Sequence, residues 1–176
     1  MSAHDRDAPP PGHLPLHELA ARYYSATDLC DWDGVRACFS PDFRVLRIYP
    51  SVKAYRAGEP QGVSTGLEEA LYNSRHTLEA LGQTHHTVGN CSAEIDGQTG
   101  VLNHHVRAYH LGTGSKAGMF QETLAIGKLY CRHGASGWLI EEIDYIACLY
   151  RGTMDLFMPD GVSAPLPESL PMLRGG

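Results

Sequence analysis

Long apolar runs are absent from this 176-residue chain. None approaches the roughly 18 residues a membrane helix needs, and the polar, proline-rich start (Met1 to Pro11) lacks the apolar stretch of a signal peptide. The expectation is a cytoplasmic protein with no membrane partner. A basic stripe is missing too: 14 Lys and Arg stand against 20 Asp and Glu, net charge −6, without long runs of one sign. Such a surface cannot neutralise successive phosphates, so nucleic acid is excluded as a partner. Five cysteines (Cys30, Cys38, Cys91, Cys131 and Cys148) are scattered, odd in number and free of C-x-x-C spacing. That is neither a disulfide framework nor a zinc site, and they read as small, mostly buried apolar residues. A serine nucleophile is not expected, although Gly62-Val63-Ser64-Thr65-Gly66 matches the spacing G-x-S-x-G, and there is no internal repeat.

What remains is the pattern of a single globular domain, with 43% hydrophobic residues. Residues 1–13 read as a flexible arm. Leu16, Leu19, Ala20, Tyr23, Thr27 and Cys30 recur at helical spacing and predict a helix from about Leu16 to Cys30. A second, short helix covers about Trp32 to Phe39 and stops at Ser40-Pro41. A strand from Phe43 to Tyr49 follows, and the Gly-, Pro- and Ser-rich stretch 51–65 reads as loop. Gly66 to Leu81 is helical, with Gly82 as its stop. The period then changes to two, giving strands at Thr84–Ile95, Val101–Leu111, Met119–Cys131 and Gly137–Tyr150. Helices followed by a run of long antiparallel strands make an α+β fold, its helices on one face of a strongly bent sheet. The tail 159–176 is rich in Pro and Gly and could lie across a pocket mouth.

Histidine is the unusual component: ten in all, with His85, His86, His104, His105 and His110 close together in sequence. Strand alternation puts His104, Val106, Ala108 and His110 on one face and His105, Arg107 and Tyr109 on the other. With a three-residue loop centred on Gly97, His86 lies opposite Ala108 and diagonal to His110 on the same face. A two-residue turn would instead separate His86 and His110 to opposite faces, and the sequence leaves both open. Asp28, one turn after Tyr24, falls at the edge of the apolar stripe of the first helix. A carboxylate bonded to a histidine would hold its tautomer and raise its basicity, as acid–base work near neutral pH requires. A metal is not expected. His104 and His110 are six residues apart on a strand, roughly 20 Å, and no H-x-H or H-E-x-x-H spacing appears.

Three stretches carry a resemblance to a known family: Arg22-Tyr23-Tyr24-Ser25-Ala26-Thr27-Asp28-Leu29-Cys30-Asp31-Trp32, His104-His105-Val106-Arg107-Ala108-Tyr109-His110, and Gly137-Trp138-Leu139-Ile140. They resemble the SnoaL-like branch of the nuclear transport factor 2-like superfamily, in particular the scytalone dehydratases and bile acid 7α-dehydratases, over a domain spanning 14–158. Phe157-Met158 is similar to the C-terminal segment of the bile acid enzymes. The resemblance implies a cone of three N-terminal helices on a curved antiparallel sheet that encloses a pocket. It matches Asp28 to the family's helix aspartate, Tyr23 to a catalytic tyrosine, His86 to the first catalytic histidine, and His110 to the histidine paired with the aspartate. Scytalone dehydratases have tyrosines where this chain has Thr27 and Arg47; Tyr49, on the strand face of Arg47, is the candidate substitute. Their pocket asparagine falls at Ile126, and an arginine of the bile acid enzymes at Ala147.

The implied function is a lyase that needs no cofactor. It would dehydrate a hydroxy-carbonyl small molecule, polyketide-, terpenoid- or steroid-like. His110, oriented by Asp28, would be the base, and His86 with Tyr23 or Tyr49 would hold the carbonyl oxygen. An isomerase or cyclase using the same pair, or a non-catalytic binding or assembly subunit, are the alternatives. Relatives are often dimers or trimers, so a homo-oligomer is expected.

Overall fold

The structure is a computed structural model that describes residues 14–161; the N-terminal arm and the tail beyond 161 lie outside the described residues. Helix α1 (Leu14–Asp28) buries Leu16, Leu19, Ala20 and Tyr24. It ends where Cys30 turns left-handed (φ 52°) and the Asp31 N–H reaches back to the Ala26 carbonyl at 2.9 Å, which satisfies an orphan helix carbonyl. Asp31 then caps α2 (Trp32–Ala37) by accepting from the Gly34 N–H at 3.0 Å. Strand β1 (Val45–Tyr49) follows.

The stretch 51–65 departs from the expected loop. It holds a six-residue helix, α3 (Val52–Ala57), and a strand, β2 (Gly62–Thr65). The Ser51 hydroxyl accepts from the Ala54 N–H at 3.1 Å, and Gly58 stops the helix at φ 72°. The residues that made the segment look like loop are the two caps of a helix too short to show a period. Helix α4 (Leu67–Glu79) and strands β3 (Gln83–Asp96), β4 (Thr99–Leu111), β5 (Phe120–Gly134) and β6 (Gly137–Gly152) complete the domain.

The six strands form one open sheet in the order β2-β1-β6-β5-β4-β3, antiparallel except for the β1–β6 pair. It is a curved α+β cone. Core side chains of α1, α2 and α4 (Leu16, Leu19, Val35, Ala70, Leu71) pack with Leu102, Leu129, Ile140 and Ile143 on the inner face. Helix α3 lies on the outer face, where the Tyr55 ring meets Tyr49 edge-on at 5.1 Å.

The register of β3 on β4 decides which histidines face the core, and it is reached by a route the sequence did not suggest. The turn has two residues, Gly97 and Gln98, because Asp96 pairs with Thr99. Left to itself, that turn would put His86 on the outer face. A β-bulge between Gly89 and Ser92 shifts the pairing by one, with Asn90 in the left-handed region at φ 47°. Beyond it His86 lies opposite Ala108 and Thr84 opposite His110. The expected partner is recovered through a bulge rather than a three-residue loop.

Candidate active site

Asp28 is the last residue of α1. A carboxylate there faces the negative end of the helix dipole, a disfavoured place. It is held by β3, an edge strand whose outward N–H groups have no ladder partner. Asp28 Oδ2 accepts the His86 backbone N–H at 2.8 Å, and Oδ1 pairs with His86 Nδ1 at 2.6 Å. One carboxylate therefore fixes both the backbone and the ring of one residue. Ionised, it only accepts, so Nδ1 carries the hydrogen and Nε2 keeps the lone pair. The exposed His85 adds its Nδ1 at 3.6 Å from Oδ2. The expected pairing of Asp28 with His110 is thus corrected. Asp28 sits beside the edge strand β3, while His110 lies one strand further in and takes its partner from β5.

That partner is Gln121, directly opposite His110 in the β4–β5 ladder, with Oε1 at 2.9 Å from His110 Nδ1. The rings of His86 and His110 stand nearly perpendicular, 5.8 Å apart. Burial pushes the His110 pKa down; the hydrogen bond to Gln121 works the other way, the nearby His86 lowers it further and Asp28 raises it. Over His110 lies Phe157, its ring edge-on at 5.3 Å. A 3-10 turn (Met154–Phe157) carries it. The β4–β5 loop clamps this segment: Lys116 Nζ donates to the Leu156 carbonyl at 2.9 Å and to that of Met158, and the Ser115 hydroxyl donates to the Asp160 carboxylate at 2.8 Å.

A further aromatic–histidine pair sits deeper on the same face. The Tyr24 hydroxyl meets His104 Nε2 at 2.8 Å, and the Tyr24 ring lies 5.2 Å from that of His86. Burial pushes the His104 pKa down to about 4, so the ring is neutral. The ring occupies space left by Gly127, where a Cβ would come within 2.4 Å of it. Tyr24 is a wall of the site that the sequence reading passed over. Its spacing of four from Asp28 was the available signal, since i and i+4 share a helix face. Gln121 was beyond reach until the β4–β5 register was known.

Tyr23 packs its ring against Tyr24 (4.8 Å between rings) and Phe39 (5.5 Å). Burial, with the nearby Cys38 thiol, pushes its phenol up to about 12. Tyr49 does not join the cluster at all. It shares the strand parity of Arg47, which binds Asp144 at 2.6 Å and Glu142 at 2.7 Å on the outer face. Burial works against the Arg47 charge, but these hydrogen bonds raise its pKa regardless. The same network receives the Tyr130 hydroxyl on Asp144 at 3.1 Å.

Two hollows lie near the site, and the residues that line them include neither His86 nor His110. An apolar crevice of about 10 Å³, lined by Tyr23, Thr27, Phe39, Leu46, Leu71 and Ile143, has room for little more than a water. A cavity of about 390 Å³ opens beside the edge strand and is walled in part by Asp28, Leu78, Leu81, Thr84, His85 and Tyr109. Its size suits a small organic molecule. Among the described residues, no three His, Cys, Asp or Glu side chains converge as metal ligands, and no helix is long and apolar enough to cross a membrane.

Comparison with known proteins agrees with this architecture. The SnoaL-like domain matches residues 14–144. The chain belongs to the SnoaL-like family. It is accordingly a member of the nuclear transport factor 2-like superfamily. Among solved structures, a candidate aromatic ring hydroxylase from Novosphingobium aromaticivorans superposes with a TM-score of 0.67 at 18% identity, covering 81% of this chain and 94% of its own. A candidate scytalone dehydratase from the same organism has a TM-score of 0.63 at 12% identity, with 86% and 91% covered. A hexachlorocyclohexane dehydrochlorinase from Novosphingobium barchaimii gives 0.63 at 11% identity, with 88% and 94% covered. At these identities the likeness is one of fold. No curated protein matches the chain.

Proposed function

We propose that this SnoaL-like protein is a dehydratase acting without a cofactor on a hydroxy-carbonyl small molecule of polyketide, terpenoid or steroid type. One observation carries the reading: Asp28 takes both the N–H and the ring Nδ1 of His86, leaving Nε2 of His86 as a base beside a second, neutral imidazole. His86 Nε2 removes the proton next to the carbonyl, whose acidity makes the step accessible, and the C–H electrons pass into an enolate. Asp28 stabilises the imidazolium so formed. The same proton then goes to the leaving hydroxyl as the C–O bond breaks, giving water and a C=C bond conjugated to the carbonyl. His110 accepts a hydrogen bond from the substrate hydroxyl and aligns it. Tyr23 and Tyr145, inner-face phenols kept protonated by burial, are the available donors to the enolate oxygen. Phe157 keeps bulk water off His110. Two of the fold relatives are named for eliminations, loss of water in one and of hydrogen chloride in the other. That is the chemistry one base on an acidified C–H performs.

The test is incubation with a panel of cyclic and aryl β-hydroxy ketones, followed by mass spectrometry. Dehydration removes the mass of one water, and Asp28→Asn slows it by about 10²-fold or more. A product of unchanged mass would replace this reading with an isomerase. Equal turnover by wild type and Asp28→Asn would overturn the acid–base assignment.

A further inference from the structure

Two nearly buried imidazoles 5.8 Å apart cannot both hold a proton without strong repulsion, so a site built on them must give them different jobs. Asp28 does this for His86. The counterpart at His110 is a neutral amide, and its orientation can be read from its other end. Gln121, only 2% exposed, directs Nε2 to the Thr123 hydroxyl. With the amide nitrogen committed to Thr123, the end facing His110 Nδ1 is the carbonyl oxygen Oε1. A carbonyl oxygen can only accept, so Nδ1 must bear the hydrogen. Thr84, opposite His110 on its other flank, has a buried hydroxyl with no hydrogen-bond partner and does not compete for Nδ1.

We propose that Gln121 is a positioning residue, oriented by Thr123, that locks His110 in the Nδ1–H tautomer so that its Nε2 faces the site as a neutral hydrogen-bond acceptor. The relay Thr123–Gln121–His110 runs from β5 to β4 and ends on His110 Nδ1. The lock deepens the dehydratase reading and rests on it for its use: it makes His110 a receiver for the substrate hydroxyl and leaves the mobile proton to His86. A carboxylate at position 121 would instead create a second charged pair and erase the distinction between the two histidines.

The experiment reads the tautomer without substrate, so its outcome is separate from whether the protein dehydrates anything. Long-range ¹H–¹⁵N correlation spectra of the histidine rings are recorded near pH 7 on the ¹⁵N-labelled full chain and on Gln121→Leu and Thr123→Val. In the wild type His110 is expected to show the Nδ1–H pattern. In Gln121→Leu that pattern is lost in favour of Nε2–H, and in Thr123→Val, where the amide is free to flip, both forms appear. His86 should keep its Nδ1–H pattern in all three, which also reports that the site is folded. An Nε2–H pattern for His110 in the wild type would overturn the proposal. So would an unchanged Nδ1–H pattern in Gln121→Leu.

Discussion

His104 and His110 lie on one strand, six residues apart, facing the same way. Both are nearly fully buried, 1% and 8% exposed, and burial lowers the pKa of both. By position and composition they are equivalent. Their surroundings separate them: His104 is wedged over Gly127 with Nε2 taken by Tyr24, and its Nδ1 is buried without a hydrogen-bond partner. At His110 it is Nδ1 that is taken, by Gln121, and the ring faces His86 and Phe157. An inward histidine is therefore not a site by itself. What makes one is an uncommitted nitrogen beside a second group whose charge is controlled, and among the described residues the Asp28 end of the sheet offers that.

The contrast can be broken most severely beside the bulge. Inserting one alanine between Val88 and Gly89, with the bulge kept, should shift Gln83–Val88 by one and turn His86 to the outer face. Turnover is expected to fall to background, measured on any substrate the wild type accepts. Next come Asp28→Asn and His86→Ala, each expected to lower kcat by about 10²–10⁴ with little change in folding.

The His104 end should answer in stability instead. Its ring is neutral in the folded protein down to about pH 4 and ordinarily titrates near 6.5. Between those values the unfolded chain binds the proton first, so stability is complete above 6.5 and declines as pH falls toward 4. The decline is roughly 3 kcal/mol from this residue. Urea unfolding across that range should show the slope, and His104→Gln should flatten it. Gly127→Ala, which drives a methyl into the His104 ring, should cost about 1–3 kcal/mol. Smallest of all is Tyr49→Phe: from the outer face it should leave turnover within about threefold of wild type.

Periodicity was enough to locate α1, α4 and the four long strands, because each runs for several repeats of its pattern. It failed at α3 and β2, where six and four residues are too few to show a period. At the site, the run of histidines and strand parity narrowed the candidates to His86, His104 and His110, and the family resemblance joined Asp28 to them. Who bonds whom was not legible, because pairing depends on a one-residue bulge and on Asp28 meeting an edge strand, both settled by tertiary packing. Tyr49 misled for a related reason. Strand parity correctly grouped it with Arg47, but the face that group occupies is fixed by buried Asp144 on β6, far away in sequence.

In the proposed reaction the Asp28–His86 pair carries the mobile proton. The most direct test follows deuterium uptake from D₂O into an aryl ketone that has an enolisable C–H and no leaving group, which isolates proton abstraction from everything after it. The wild type should exchange the α-position, His86→Ala and Asp28→Asn should do so about 10²-fold more slowly or worse, and His104→Gln should stay within about threefold. Exchange by His86→Ala at the wild-type rate would mean that His86 is not the base.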